Sequence, residues 1–163
     1  MFANCSISDL EASLHRQGVI LDLSQANRLD SAFYYCRMLT CVPEIVLGAK
    51  CANASSMFSY SVQLHTIRKL TFPNQSMNVS NMFYDCQALE SITIGGTIAC
   101  TGLDLHWSTK LSRDSITSIV NALSSATSGL TLTLSQTAVN NAFTTDEWTA
   151  LAATKSNWTI SLA

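Results

Sequence analysis

The most enzyme-like cluster of residue types in this chain is Asp104, His106 and Trp107, surrounded by hydroxylated side chains. Nucleophilic catalysis needs a hydroxyl or thiol held against a base that a third group orients, and a carboxylate two residues from an imidazole supplies the last two parts. With 22 Ser and 17 Thr, a hydroxyl falls near any His by chance, so a surface His at a strand end outweighs a hydrolase centre. Asp22 and Asp104 could be read as a carboxylate pair. Several strands separate them, and at about 4.8 Å per strand that is too far for shared acid/base work. Six Cys and three His invite a metal reading, yet no C-x-x-C pair occurs and His15, His65 and His106 fall at no ligand spacing. Gly95-Gly96 lacks the spacing and following Lys of a phosphate loop. No catalytic residue, metal or cofactor is expected.

Composition narrows the partners. Charged residues are 12% of the chain against about 25% in an ordinary soluble domain, so the surface must be largely hydroxylated and uncharged. A net charge of −2 with scattered Lys and Arg gives no basic field for a phosphate backbone, which argues against nucleic acid. No run reaches the ~18 to 20 apolar residues of a membrane span, so no membrane insertion is expected. Met1-Phe2-Ala3-Asn4-Cys5-Ser6 lacks the basic and apolar regions of a secretory signal. Either export by that route is not used or the natural N-terminus lies elsewhere.

The elements that would position a site announce themselves as a repeat. Ala32-Phe33-Tyr34-Tyr35-Cys36-Arg37-Met38-Leu39, Met57-Phe58-Ser59-Tyr60-Ser61-Val62-Gln63-Leu64 and Met82-Phe83-Tyr84-Asp85-Cys86-Gln87-Ala88-Leu89 place Phe33, Phe58 and Phe83 25 residues apart. A period in the range of roughly 20 to 50 residues is the signature of a solenoid, in which each unit buries its apolar face by stacking on its neighbours. Leu21-Asp22-Leu23, Ile45-Val46-Leu47, Leu70-Thr71-Phe72 and Ile92-Thr93-Ile94 read as one strand per unit, the first residue of each pointing inward and the middle residue outward. The Phe-x-x-Cys-x-x-Leu spacing suits a short helical or 3₁₀ turn. Met1-Phe2-Ala3-Asn4-Cys5 reads as the same phrase, so the chain is expected to have been cut inside a repeat or to have lost its cap. Such an exposed first rung would favour self-association. Cys5, Cys36 and Cys86, with Ser61 between, read as a ladder of small buried side chains. A disulfide involving Cys41, Cys51 or Cys100 is the alternative.

These residues resemble the leucine-rich repeats of the BspA type, whose units carry an M-F-x-x-C-x-x-L phrase followed by an apolar strand. The resemblance covers residues 1–95, losing Met at Ala32 and Cys at Ser61. It implies a surface or particle-borne binding role, because such repeats occur in bacterial cell-surface proteins, parasite surface proteins and prophage-encoded proteins.

Beyond Gly96 the units lengthen. Leu103-Asp104-Leu105 reads as a strand, residues 112–125 as an amphipathic helix capped by Ser112 and facing the sheet, and Leu130 to Leu134 as a strand. A short helix begins near Thr145, and Trp158 to Leu162 is the last strand. Residues 103–163 are then the final, more helical rungs and their cap. Lys155-Ser156-Asn157-Trp158-Thr159-Ile160 is similar to the ends of prophage-associated repeat proteins. Sequons at Asn4, Asn53, Asn74, Asn78 and Asn157 are glycan sites only in a secreting eukaryote.

The expected fold is therefore a single α/β leucine-rich-repeat solenoid over residues 1–163. It has a mainly parallel β-sheet on one face and short helices or turns on the other. Its expected role is a non-catalytic binding or adhesion module for a protein or glycan, at the cell surface, secreted or on a particle. The alternative is a structural or receptor-binding component of a phage tail. The outward strand row Asp22, Val46, Thr71, Thr93, Asp104, Thr131 and Thr133 is the expected ligand face. Tyr34, Tyr35, Tyr60 and Tyr84, beside the Phe anchors, are the candidates for exposed stacking surfaces.

Overall fold

A computed structural model describes residues 3, 4, 6 and 18–163 of the chain, as a mixed α/β fold with two parallel sheets and, among the described residues, three short helices. Strands β1 (Ile20–Leu23), β2 (Cys41–Leu47), β3 (Thr66–Phe72) and β4 (Ser91–Gly96) lie side by side in that order. A second sheet holds β5 (Leu103–Leu105), β6 (Leu130–Leu134) and β7 (Trp158–Leu162). Ile45, Leu47, Leu70, Phe72 and Ile92 are buried as their alternation requires, and Leu21, Leu23 and Ile94 pack partly buried against the same core. One hydrophobic cluster runs from Leu29 to Trp158 and joins both sheets.

The register departs from the expected one at β4. Leu21 pairs with Ile45 and Ile45 with Leu70, but Leu70 pairs with Ile94, leaving Ile92 opposite Ile67. Between Ile67 and Leu70 β3 carries Arg68 and Lys69, whereas β4 has Thr93 alone between their partners. The missing residue shifts the register there. Thr71 consequently faces Gly95 rather than Thr93. The short interval between Leu70 and Ile92 in the sequence is thus a lost bulge residue, and Val42 and Ile67 are additional inward positions, both fully buried.

The Phe-x-x-Cys-x-x-Leu segments are runs of turns instead of the expected helical or 3₁₀ turn. Ser31, Ser56 and Asn81 sit at φ 56°, 54° and 56°, and Tyr35, Tyr60 and Asp85 at 59°, 62° and 57°. These left-handed residues prevent a helix, since a helix needs an unbroken right-handed run. They also let amides alternate between two partners. Ala32 and Tyr34 donate back within their own segment, to Leu29 and Ser31, while Phe33 and Tyr35 donate to Met57 and Ser59 of the next. Phe58 and Tyr60 in turn reach Met82 and Tyr84. The stacked segments therefore satisfy their backbone as a sheet does, without strand geometry.

Inside the stack the Phe33 and Phe58 rings lie 5.2 Å apart at 8°, and Phe58 and Phe83 5.6 Å apart at 10°. The position three residues after each anchor takes Ser or Cys because a small donor can reach a neighbouring carbonyl. Ser61 Oγ donates to Phe33 O at 3.0 Å, and Cys86 Sγ to Phe58 O at 3.1 Å. Burial pushes the Cys86 thiol up to about 12 and Cys100 up to about 11, so neither is a thiolate at neutral pH. Cys51, Cys86 and Cys100 are free thiols, and no disulfide joins any two described residues. Phe2 and Cys5 lie outside the described residues, but Asn4 has the same positive φ (57°) and donates to Tyr34 O at 2.8 Å, the bond Tyr60 makes to Tyr84.

Helix α1 (Arg113–Ala122) is capped by Ser112, whose side chain accepts from the Ser115 amide. It does not lie across the sheet face as expected. It runs along the open edge of β4, where Ile92 N and Ile94 N donate to Ser115 Oγ (3.0 Å) and Ser118 Oγ (2.8 Å). A helix with two hydroxyls on the facing side thereby closes an edge that would otherwise pair with another chain. Past it, Ile98 bridges Leu123, which gives the stretch after Gly96 its structure. Helix α2 (Gln136–Ala142) was not expected from the sequence; α3 (Thr145–Ala153) was, with Thr144 and Glu147 forming a reciprocal capping box. Trp158 Nε1 donates to Ser124 O at 2.8 Å, pinning β7 to the loop after α1.

Candidate functional site

The outward strand row divides between the two sheets. Asp22, Val46 and Thr71 stand opposite one another on β1 to β3, and the row continues to Gly95. Thr93 is exposed opposite the bulge, while Asp104 faces Thr133 and Thr131 faces Thr159 on the second sheet. Much of this row's polarity is already committed. Asp22 accepts from the Ser24 amide at 2.9 Å, and Ser24 holds its carboxyl below the ordinary range. Thr131 Oγ1 meets Thr101 Oγ1 at 3.1 Å and the Gly102 amide, and Thr133 Oγ1 meets Ser161 Oγ at 3.2 Å. Thr71 Oγ1 is buried without a hydrogen-bond partner. A Cβ at Gly95 would stand 2.5 Å from that oxygen and 2.8 Å from Lys69 Cε, so the missing side chain is the gap into which both lean. Lys69 itself pairs with Glu44 at 3.0 Å.

The Asp104 and His106 side chains do meet, with Nδ1 and Oδ1 2.8 Å apart, and Asp104 also accepts the His106 amide at 2.9 Å. This reproduces the orienting half of a triad. The neighbouring hydroxyl, Ser108, is fully buried and donates to Cys86 O at 3.1 Å, so it points into the protein.

A row of rings lies over the stacked turns. Tyr34 and Tyr84 follow their Phe anchors directly, Tyr35 and Tyr60 stand one further on, and the left-handed residues turn them outward as the anchors turn in. Their ring centroids form one continuous chain. Tyr35 lies 6.1 Å from Tyr34, Tyr34 5.7 Å from Tyr60, Tyr60 5.2 Å from Tyr84, Tyr84 5.5 Å from Trp107, and Trp107 4.9 Å from His106. Tyr35 is 39% and Tyr84 36% exposed. Beneath Tyr34, Tyr60 and Tyr84 is a cleft of about 230 Å³ floored by Ser56, Ser59 and Asn81. Burial, followed by the neighbouring Tyr84 and Tyr34, raises the Tyr60 phenol, so it stays neutral and can donate. Arg37 covers the Tyr35 ring at 4.8 Å and closes that end.

The sequence located the four tyrosines but not the place of His106 and Trp107 among them. The signal was there. Leu105, Ser108 and Leu111 repeat the 0, 3, 6 spacing of the Phe phrase, and all three are buried. Leu105 stands for Phe, and the two rings after it extend the row. Trp107 Nε1 is buried with no partner, so the indole contributes ring surface more than a donor.

Among the described residues no three His, Cys, Asp or Glu side chains gather to hold a metal, and no helix is long and apolar enough to cross a membrane. Of the sequons, Asn157 is occupied as a donor, its amide nitrogen bonded to Ser124 O (2.8 Å) and Thr127 O (2.5 Å). No family model, curated protein or solved structure matches the chain.

Proposed function

We propose that the chain is a leucine-rich-repeat solenoid acting as a non-catalytic binding or adhesion module, and that the ring row over its turns, rather than its strand face, meets the ligand. Phenylalanines stacked in register and amides donating to the equivalent residue of the next segment support the solenoid reading. The observation that carries the function is the unbroken run of six rings from Tyr35 to His106. Steps of 5.2–5.7 Å between Tyr34, Tyr60, Tyr84 and Trp107 are on the scale of one sugar residue in an extended chain. Aromatic surface edged by hydroxyls and amides suits a glycan better than a charged protein patch. The strand row, with the Thr71 hydroxyl oxygen buried and Thr131 and Thr133 internally bonded, has fewer groups to offer.

The test is binding of the purified protein to immobilised glycans and matrix proteins, wild type against Tyr60→Ala/Tyr84→Ala. Loss of at least about tenfold in affinity, or roughly 1.4 kcal/mol, is expected, with Asp22→Ala/Thr93→Ala unchanged. Equal binding by the tyrosine variant would remove the ring row from the ligand face. The closing segment from Lys155 to Ile160 favours a second reading, a component of a phage tail. Recovery with released particles instead of cell envelopes would select it.

A further inference from the structure

The C-terminal half holds a second, larger cleft, of about 560 Å³, where α2 turns into α3. Its walls are the Phe143 and Trp148 rings, 6.0 Å apart and tilted at 55°. Gln136 and Asn140 line it one helical turn apart on α2, their side chains bonded at 2.7 Å, and Thr144 and Thr145 line it from the start of α3. Nothing in the lining carries a charge.

The corner is held rigid from behind. Arg113, on α1, donates to both carboxylate oxygens of Glu147 (3.1 and 2.8 Å) and to Ala142 O (3.1 Å), and its guanidinium lies 4.6 Å from the centre of the Phe143 ring. Glu147 also accepts from the Thr144 amide at 2.9 Å. Glu147 is therefore paired with Arg113, whose guanidinium also rests on the Phe143 ring. What remains is two aromatic plates at an angle, with two amides and the Thr145 hydroxyl beside them, since Thr144 Oγ1 is held by Glu147.

We infer that this cleft is a saccharide subsite for a neutral mono- or disaccharide unit, independent of the ring row. A sugar presents apolar C–H faces to the plates and a girdle of hydroxyls that both donate and accept, which the Gln136 and Asn140 amides and the Thr145 hydroxyl can match. An anionic ligand finds no unpaired cation here. A purely apolar ligand would strip water from three polar groups without replacing it.

The experiment is saturation-transfer NMR on the whole protein with cellobiose, N,N′-diacetylchitobiose, maltose and lactose as probes. At least one is expected to receive saturation with a Kd of about 1–10 mM, the range for a small, open polar cleft. In the Tyr60→Ala/Tyr84→Ala background, which removes the ring row as a second source of transfer, Trp148→Ala abolishes the transfer, and Asn140→Ala, at an exposed helix position, weakens it by several fold. Tyr60→Ala/Tyr84→Ala by itself retains transfer, which separates this cleft from the ring row. Transfer to none of the four probes, or transfer that survives Trp148→Ala in a folded protein already lacking the Tyr60 and Tyr84 rings, overturns the assignment.

Discussion

The two halves of the molecule solve the same packing problem with different parts. From β1 to β4 each segment hands its amides to the next, and the interior is filled by identical rings in register. From β5 onward helices α1 to α3 satisfy most of their own backbone, and side-chain hydroxyls are needed at the joints, as with Ser112, Ser135 and Thr144 at the caps. The surfaces follow from that. Segments in register repeat whatever side chain follows the anchor, which produces a row; helices meeting at a corner leave a cleft bounded by unlike residues. The first half offers length and the second half offers shape.

The sharpest way to break the comparison is at the centre of the stacked rings. Phe58 is fully buried between Phe33 and Phe83, so Phe58→Ala removes contacts on both faces and is expected to cost about 3–5 kcal/mol in urea unfolding. Because one hydrophobic cluster joins the halves, the loss should appear as a single transition by both circular dichroism and Trp fluorescence. Separate transitions by the two probes would mean that the ring stack and the helical end unfold independently.

How legible each half was in the sequence also differs, and for a physical reason. Period-two apolar runs and a 25-residue interval between phenylalanines gave the strands of the first sheet, because side-chain alternation is local. The turns between them were misread as helical. Serine, tyrosine, asparagine and aspartate at 31, 35, 56, 60, 81 and 85 adopt positive φ where glycine would have announced it, so the composition hid the geometry. The register slip at β4 was visible as a shortened interval, but whether Ile92 would follow Ile67 or Leu70 depends on the neighbouring strand. In the second half Ser112 marked its helix, and the helix expected to start from a Thr145 cap is capped one residue earlier, by Thr144, while α2 went unseen because Gln136–Ala142 is short and largely polar. The candidate site was half legible: the tyrosines stood beside the anchors, but that they form one row with Trp107 and His106 required knowing that Leu105 occupies a Phe position.

The joint between the halves gives the next prediction. Ser115 accepts from Ile92 N and donates to Glu90 O at 3.2 Å, so its buried hydroxyl, together with the Ser118 hydroxyl on Ile94 N and the Ser112 amide on Glu90 O, links the last strand of the first sheet to the helix that ends it. Ser115→Ala leaves that amide and carbonyl without the hydroxyl, and about 1–3 kcal/mol of stability should be lost. Ser115→Thr, which retains the hydroxyl, should recover part of it. In hydrogen exchange, Ile92 N is expected to lose protection before amides of β2, since the helix alone covers that edge. Unchanged protection at Ile92 would show that α1 closes the edge by bulk rather than by these bonds.

The smallest effect belongs to the helical corner itself and depends on pH. Arg113 first, then the Thr144 amide, hold the Glu147 carboxyl down to about 2 from an ordinary value of 4.5. A carboxyl whose folded value is depressed contributes its stabilisation in full above the unfolded value and loses it as pH falls toward the folded one. The pair should therefore stabilise the corner at neutral pH, weaken from about 4.5 downward, and contribute nothing below about 2. Both partners are half exposed, so solvent screens the gain and added salt should reduce it further. Glu147→Gln is expected to lower Tm slightly at neutral pH and to converge with the parent protein as acid is added. A difference in Tm that stays constant down to the acid limit would show that the loss does not come from the ionised carboxylate, and the cleft would then owe its rigidity to the Arg113–Phe143 contact instead of the ion pair.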